Sequence, residues 1–170
     1  TFGYMNAKES VSDSELANLG YGYGITMSPF QIASAYSVFA NNGVYKDFQL
    51  LLNEQVTSRK VISDQSAAYI LKALEKVVKE GTGKAAEIRG FSEGGKTGTA
   101  HQTRRGSGYA EDSYIASFIG ITPLSEESLT IFVSIDSPGL NAYTGGAVAA
   151  PLFAKIAESS LNHLGYFEDE

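Results

Sequence analysis

Gly94-Gly95-Lys96-Thr97-Gly98-Thr99-Ala100 is the segment that most restricts what this 170-residue chain can build. It sets a cation, two hydroxyls and a glycine on a few extended residues, and that set of groups reads a carboxylate. In a strand alternate side chains share a face, so Thr97 and Thr99 present their hydroxyls together. Gly98 lets another backbone approach closely. Strict alternation puts Lys96 on the opposite face, from which its ammonium has to reach around an exposed strand edge to join the threonines. Spacing alone leaves that point open.

The surrounding chain reads as helices and strands in one domain, residues 1–170. Ser28, Pro29 and Gln31 form a helix start with a serine N-cap, a first-turn proline and a capping-box glutamine. Ile32, Ala33, Tyr36, Phe39 and Ala40 then recur at helical spacing up to an Asn42-Gly43 stop. Ser63 caps a second helix, with Ala67, Ile70, Leu71, Leu74, Val77 and Val78 as its apolar stripe and Glu75 and Lys79 paired on the wet side. Residues 56–62 read as a short strand, and 103–112 as a loop rich in arginine, glycine and serine. Tyr114 to Ile121 and Leu129 to Ile135 read as strands around a Pro123 turn, so with the Lys96 strand they form an antiparallel meander. Ala147 to Leu164 reads as a helix packing Val148, Leu152, Phe153, Ile156 and Ala157 on that sheet, ahead of a frayed acidic tail, Glu168-Asp169-Glu170. The fold class is α/β of the α+β kind, an antiparallel sheet flanked by helices.

Composition narrows the chemistry. A formal net charge of -6 argues against a nucleic-acid partner. The absence of cysteine excludes a thiolate nucleophile and thiolate metal sites, and no cluster of histidines and acids suggests a metal, so no cofactor is expected. Gly90 to Thr97 also satisfies the Walker A pattern, with Ile131 to Asp136 passing for a Walker B strand. A phosphate loop, however, needs a buried strand before it and a helix starting at its lysine. Ala85 to Arg89 is too short and polar for the first, and Gly98, Gly106 and Gly108 preclude the second.

Several segments, in order, resemble class B penicillin-binding proteins. They are Gly20-Tyr21-Gly22-Tyr23-Gly24 leading into Ser28-Pro29-Phe30-Gln31-Ile32-Ala33, then Asn41-Asn42-Gly43, the Lys96-Thr97-Gly98 stretch, and Gly145-Gly146-Ala147-Val148-Ala149-Ala150-Pro151. The resemblance is to the C-terminal part of the transpeptidase domain of these peptidoglycan cross-linking enzymes. It implies a peptidoglycan D,D-transpeptidase acting on D-Ala-D-Ala stem peptides through a serine acyl-enzyme, and a target of β-lactam antibiotics. Lys96 would then supply charge, the Thr97 and Thr99 hydroxyls would bind the substrate carboxylate, and Gly98 would keep the approach clear. The Thr99 amide would serve the oxyanion hole, and Tyr143 would stand beside the cleft. The resemblance further implies an upstream part of the same protein, an extracytoplasmic location with an N-terminal membrane anchor, and cell-division or elongation membrane proteins as partners. Gly22-Tyr23-Gly24 and the serine-proline helix start lean toward the septal type.

The nucleophile is what this stretch of sequence lacks. No lysine has a serine three residues before it, so the S-x-x-K motif is absent. Thr57-Ser58-Arg59-Lys60 has the spacing with a threonine and in the wrong order, and Ser160-Leu161-Asn162 fits S-x-N but follows the Lys96 motif. Tyr4-Met5-Asn6 resembles the Y-x-N variant. His101 reads as a polar neighbour at a cleft mouth and His163 as a helix C-terminal residue, since no nucleophile-elbow sequence surrounds any serine. A non-catalytic structural or binding domain is therefore the alternative reading.

Overall fold

Helix caps and glycine turns divide the chain much as their chemistry requires. A computed structural model describes residues 3–5, 10–20, 22, 24–104, 108–125, 127–139 and 141–166. The elements are β1 (Tyr4–Met5), α1 (Asp13–Gly20), β2 (Ile25–Thr26), α2 (Pro29–Ala40), β3 (Val44–Lys46), β4 (Ser58–Lys60) and α3 (Asp64–Lys79). A 3-10 turn at Lys84–Ala86 leads to β5 (Gly94–Arg104), β6 (Gly108–Thr122) and β7 (Leu129–Asp136), and a π turn at Gly145–Ala149 runs into α4 (Ala150–Leu164).

The Ser28 capping box forms in full: Gln31 N donates to Ser28 Oγ at 3.2 Å and Ser28 N to Gln31 Oε1 at 2.9 Å. Gln31 Oε1 also accepts from Gly3 N at 2.9 Å, which ties the first segment to α2. Asn42 and Gly43, with φ of 52° and 81°, end the helix as expected. Ser63 caps α3 through Ser66 N at 3.1 Å, and Lys79 pairs with Glu75 at 2.5 Å.

Strand order β5-β6-β7 gives the predicted antiparallel meander, with β5 and β7 at the edges. The expected loop at 103–112 is largely strand instead: β5 runs to Arg104 and β6 starts at Gly108, with residues 105–107 outside the described set. The ladder continues there through the Thr103–Tyr109 and Arg104–Gly108 pairs, an outcome that glycine and arginine content disguised. The strand expected at 56–62 is confined to Ser58–Lys60, where it pairs with β3.

Helices cover both faces of the sheet. Phe118 and its cross-strand partner Val133 meet Ala149, Ala150, Phe153 and Ala157 of the last helical segment in one buried cluster. α2 packs against β6 and β7, and α3 lies against β5 and sends Val78 into the same cluster as Phe118 and Phe153. Buried α4 residues are Ala150, Phe153, Ala157 and Leu161, at helical spacing, whereas Leu152 and Ile156, expected to be inside, are each 40% exposed. Phe153 and Ala157 are thus buried as expected, while Leu152 and Ile156 sit one residue earlier, about 100° round the helix, at the margin of the buried stripe. On α3 the buried positions are Ala67, Leu74 and Val78, with Ile70, Leu71 and Val77 half-buried.

Gly120 allows the sheet and α4 to close up: a Cβ there would fall 2.5 Å from the Phe153 ring. Phe153 is fully buried, with its ring 4.9 Å from that of Phe118. Phe153→Ala should therefore cost about 3–5 kcal/mol of stability, measured by urea unfolding of purified protein.

Candidate functional site

β5 is positioned before its reactive residues begin. Ser92 O accepts from Leu124 N and from the buried Thr122 hydroxyl, each at 3.1 Å, and Ser92 Oγ accepts from Leu124 N at 3.0 Å. A Cβ on Gly94 would lie 3.0 Å from Glu75 N and Leu74 Cβ, so the strand starts in direct contact with α3. The chain then runs along the sheet edge in register with β6: Lys96 faces Ile119, Thr97 faces Phe118, Gly98 faces Ser117 and Thr99 faces Ala116.

Gly145 sets the orientation of the strand's backbone. A Cβ on Gly145 would fall 2.2 Å from Ser117 O, 2.5 Å from Gly98 O and 3.0 Å from Gly98 N. Gly145 therefore sits over the Gly98–Ser117 pair at the point where the two residues turn their N–H and C=O groups toward each other. Ladder alternation then turns the N–H and C=O of Thr97 and Thr99 outward, to the free edge of β5. The close approach expected at Gly98 does occur, but the missing side chain that permits it is Gly145's. On its other face, a Cβ on Gly98 would strike Ser117 Oγ at 2.5 Å.

Both threonine hydroxyls lie on the Gly145 face. Gly145 N donates to Thr99 Oγ1 at 3.1 Å, which occupies one acceptor position and leaves the hydroxyl proton to donate elsewhere. Thr97 Oγ1 shares a 2.8 Å hydrogen bond with Thr82 Oγ1. Lys96 is exposed and does not join these hydroxyls. Its Nζ donates to Thr97 O at 2.9 Å, so the ammonium bends around to the free edge, the route that alternation required. After Lys96 the chain continues as strand to Arg104, and no helix N-terminus follows the Walker-like lysine.

Beyond the threonines, His101 stacks on Tyr114 at 4.3 Å and Tyr114 on Tyr143 at 4.3 Å, with interplanar angles of 26° and 27°. Tyr143, predicted from its loop, thus stands at the end of the same strand through Tyr114. Ser113 Oγ donates to Gln102 Oε1 at 2.6 Å, and Gln102 Nε2 donates to Asp136, which bonds β5, β6 and β7 into one polar cluster. Of the remaining motif matches, Ser160 donates to Ile156 O within α4, Ser58 lies in β4, and Asn6 falls outside the described residues, as do Tyr21, Tyr23 and the tail from 167 to 170.

Sequence reasoning missed Thr82, the π turn and Glu93. Thr82 lies between two glycines and carries no periodic signal. Glu93 directly precedes the motif and is 5% exposed, with Oε2 lacking a partner. Burial pushes its carboxyl up to about 7 from 4.5, against a stabilising hydrogen bond from the Ile88 backbone.

The site so built is an open sheet edge that presents two threonine hydroxyls and the Lys96 ammonium, on an α/β sheet with helices on both faces. The family model described as the penicillin binding protein transpeptidase domain matches residues 1–158, and the chain belongs to that family. It is 35% identical to stage V sporulation protein D of Bacillus subtilis over 176 residues, covering 96% of this chain and 27% of that protein. It is 38% identical to the probable peptidoglycan D,D-transpeptidase PbpC of Pseudomonas aeruginosa, covering 95% of this chain and 29% of that protein. In the solved apo transpeptidase domain of Burkholderia pseudomallei penicillin-binding protein 3 the match has a TM-score of 0.87 at 32% identity, over 99% of this chain and 52% of that one. The chain spans under a third of the length of these two relatives and about half of that solved domain.

The raised carboxyl of Glu93 makes stability depend on pH with a definite sign. The folded state holds the proton more tightly than the unfolded one, so the stability is fully present below about pH 4.5 and is lost as pH rises through 7. The loss is on the order of 3 kcal/mol. Glu93→Gln should flatten this slope, so that chemical denaturation shows the variant more stable than the wild type at pH 8 and little changed at pH 4.5.

Proposed function

We propose that this chain is the carboxylate-binding part of a peptidoglycan D,D-transpeptidase, and that the rest of the parent protein supplies the attacking serine. The observation that best supports the reading is the free edge of β5. There the outward amide and carbonyl groups of Thr97 and Thr99, the Thr99 hydroxyl and the Lys96 ammonium lie within four residues. Stated as domains, residues 1–170 are one piece of a transpeptidase domain whose nucleophile-bearing portion lies upstream.

In this reading the serine oxygen attacks the carbonyl carbon of the penultimate D-Ala of a stem peptide, and the carbonyl oxygen takes up negative charge. The Thr99 N–H donates to that oxygen, and the second donor is the backbone N–H of the nucleophile. Collapse of the intermediate breaks the peptide bond, releases the terminal D-Ala and leaves an acyl-enzyme. An amine of a neighbouring stem then takes the acyl group and frees the serine. The terminal carboxylate accepts from the Thr97 and Thr99 hydroxyls, each bond worth about 1.5–3 kcal/mol. Lys96 supplies positive charge between carboxylate and serine from the strand edge. Gly98 carries the strand between the threonines, and Tyr143, backed by Tyr114 and His101, flanks the acyl donor. β-Lactams enter the same arrangement, because they present a reactive carbonyl and a carboxylate together.

The substrate places the reaction on the outer side of the cytoplasmic membrane, with the parent protein held there by an N-terminal anchor. Its partners are membrane proteins of cell division or elongation, and the chemistry uses no cofactor. A second reading, a non-catalytic binding domain of the same fold, draws support from the absence of any S-x-x-K motif in the chain. Labelling of the parent protein by fluorescent penicillin separates the two.

In the parent protein, Lys96→Ala and Thr99→Val should each slow acylation by about 10- to 100-fold with an unchanged melting temperature. A wild-type rate in Lys96→Ala would remove the motif from the mechanism. The isolated 170-residue chain should gain no mass from penicillin in intact-mass spectrometry, and a stoichiometric adduct would show a nucleophile within it.

A further inference from the structure

Each of the two threonine hydroxyls assigned to the substrate carboxylate has a polar group bonded behind it. For Thr99 that group is a backbone amide. Gly145 N donates to Thr99 Oγ1 at 3.1 Å, and an amide can only donate, so the direction of this bond is fixed. For Thr97 the group is another hydroxyl, Thr82 Oγ1 at 2.8 Å, and two hydroxyls can exchange donor and acceptor roles. Thr82 is held in place from three sides. The turn that carries it follows α3, where Gly81 N and Gly83 N both donate to Val77 O, at 3.2 and 2.9 Å. A Cβ on Gly81 would fall 2.9 Å from Val77 O, and one on Gly83 would fall 3.2 Å from the Phe118 ring, so the residues on either side of Thr82 press on helix and sheet. Gly146 closes over the turn, where a Cβ would fall 2.4 Å from Thr82 O and 3.6 Å from Thr97 Cγ2. The main chain at Thr82 is thus fixed by α3, β6 and the π turn together, and its hydroxyl is delivered to Thr97 from outside the sheet.

We propose that Thr82 is a positioning residue of the carboxylate site: its hydroxyl donates to Thr97 Oγ1 and so directs the Thr97 proton to the ligand. The inference rests on the acyl-transfer reading of β5 and deepens it. A carboxylate only accepts hydrogen bonds, so Thr97 binds one by donating its single proton. While Thr97 donates to Thr82 that proton is taken. With a carboxylate in the site both bonds therefore run one way, from Thr82 to Thr97 to the ligand, as they run from Gly145 to Thr99 to the ligand on the neighbouring hydroxyl. Hydrogen bonds aligned in one direction polarise each other, so the bond from Thr82 strengthens the one that Thr97 makes. An uncharged ester in the same place accepts a weaker bond than a carboxylate does, and it draws less on the group behind Thr97. Thr82 thus adds to the preference for a free carboxylate without touching it.

Acylation of the parent protein by benzylpenicillin and by its methyl ester, timed by intact-mass spectrometry, tests this. Thr82→Val keeps the shape of the side chain and removes its hydroxyl. It should slow benzylpenicillin about three- to tenfold and the ester by less than about twofold, with an unchanged melting temperature. Thr82→Ser, which keeps the hydroxyl, should restore the benzylpenicillin rate. Added to Thr97→Val, Thr82→Val should slow acylation no further, because the hydroxyl it serves is gone. Equal slowing of both compounds by Thr82→Val, no slowing of either, no recovery in Thr82→Ser, or full additivity of the two valine substitutions would each overturn the proposal. The reading beneath it is checked separately by Thr97→Val alone. If that variant slows the acid more than the ester while Thr82→Val does not, the relay falls and the carboxylate reading stands; if it treats acid and ester alike, both fall.

Discussion

The seating of Gly145 on the Gly98–Ser117 backbone pair is the contact on which the rest of the site depends. A side chain at 145 would overlap Ser117 O and Gly98 O, so only glycine lets the π turn lie flat against the sheet. Once seated, its N–H engages the Thr99 hydroxyl, and Gly146 comes against Thr82 and Thr97. One contact therefore orients the threonine hydroxyls. The same backbone pairing commits the neighbouring amides to the open edge.

The two helices that frame β5 make this seating possible. α4 is pulled onto the sheet by Phe153, whose ring occupies the space left by Gly120, and this brings the π turn that precedes α4 to the strand. On the other flank α3 abuts Gly94. At the root of the strand lies Glu93, a buried carboxyl with one unpartnered oxygen, whose burial disfavours its ionised form. A buried group of this kind costs stability at neutral pH, a cost that the Ser92, Thr122 and Leu124 hydrogen bonds beside it offset.

Much of the fold was legible because the signals were local. Ser28, Ser63 and Asn42-Gly43 bound their helices where capping chemistry puts them, and the alternation of apolar residues in β6 and β7 gave the meander. The Lys96 strand and its edge followed from period two. Contacts between distant segments were not legible. Thr82 meets Thr97 across 15 positions and Gly145 meets Thr99 across 46, and neither pair leaves a periodic trace. On α4 the apolar pattern marked Phe153 and Ala157 correctly but was wider than the face that packs, which leaves Leu152 and Ile156 at its margin. The strand extension through residues 103–112 was hidden by glycine and arginine, which read as loop.

Amide hydrogen exchange along β5, followed by NMR on the purified chain, tests the account's central claim most directly. The seating of Gly145 requires that the Gly98 amide bond to Ser117 while those of Thr97 and Thr99 point to the open edge. Slow exchange at Lys96, Gly98 and Ala100 with fast exchange at Thr97 and Thr99 is the predicted pattern. Protection of Thr97 and Thr99 with rapid exchange at Gly98 would contradict it, because the amide proposed for the developing oxyanion would then be bound within the sheet.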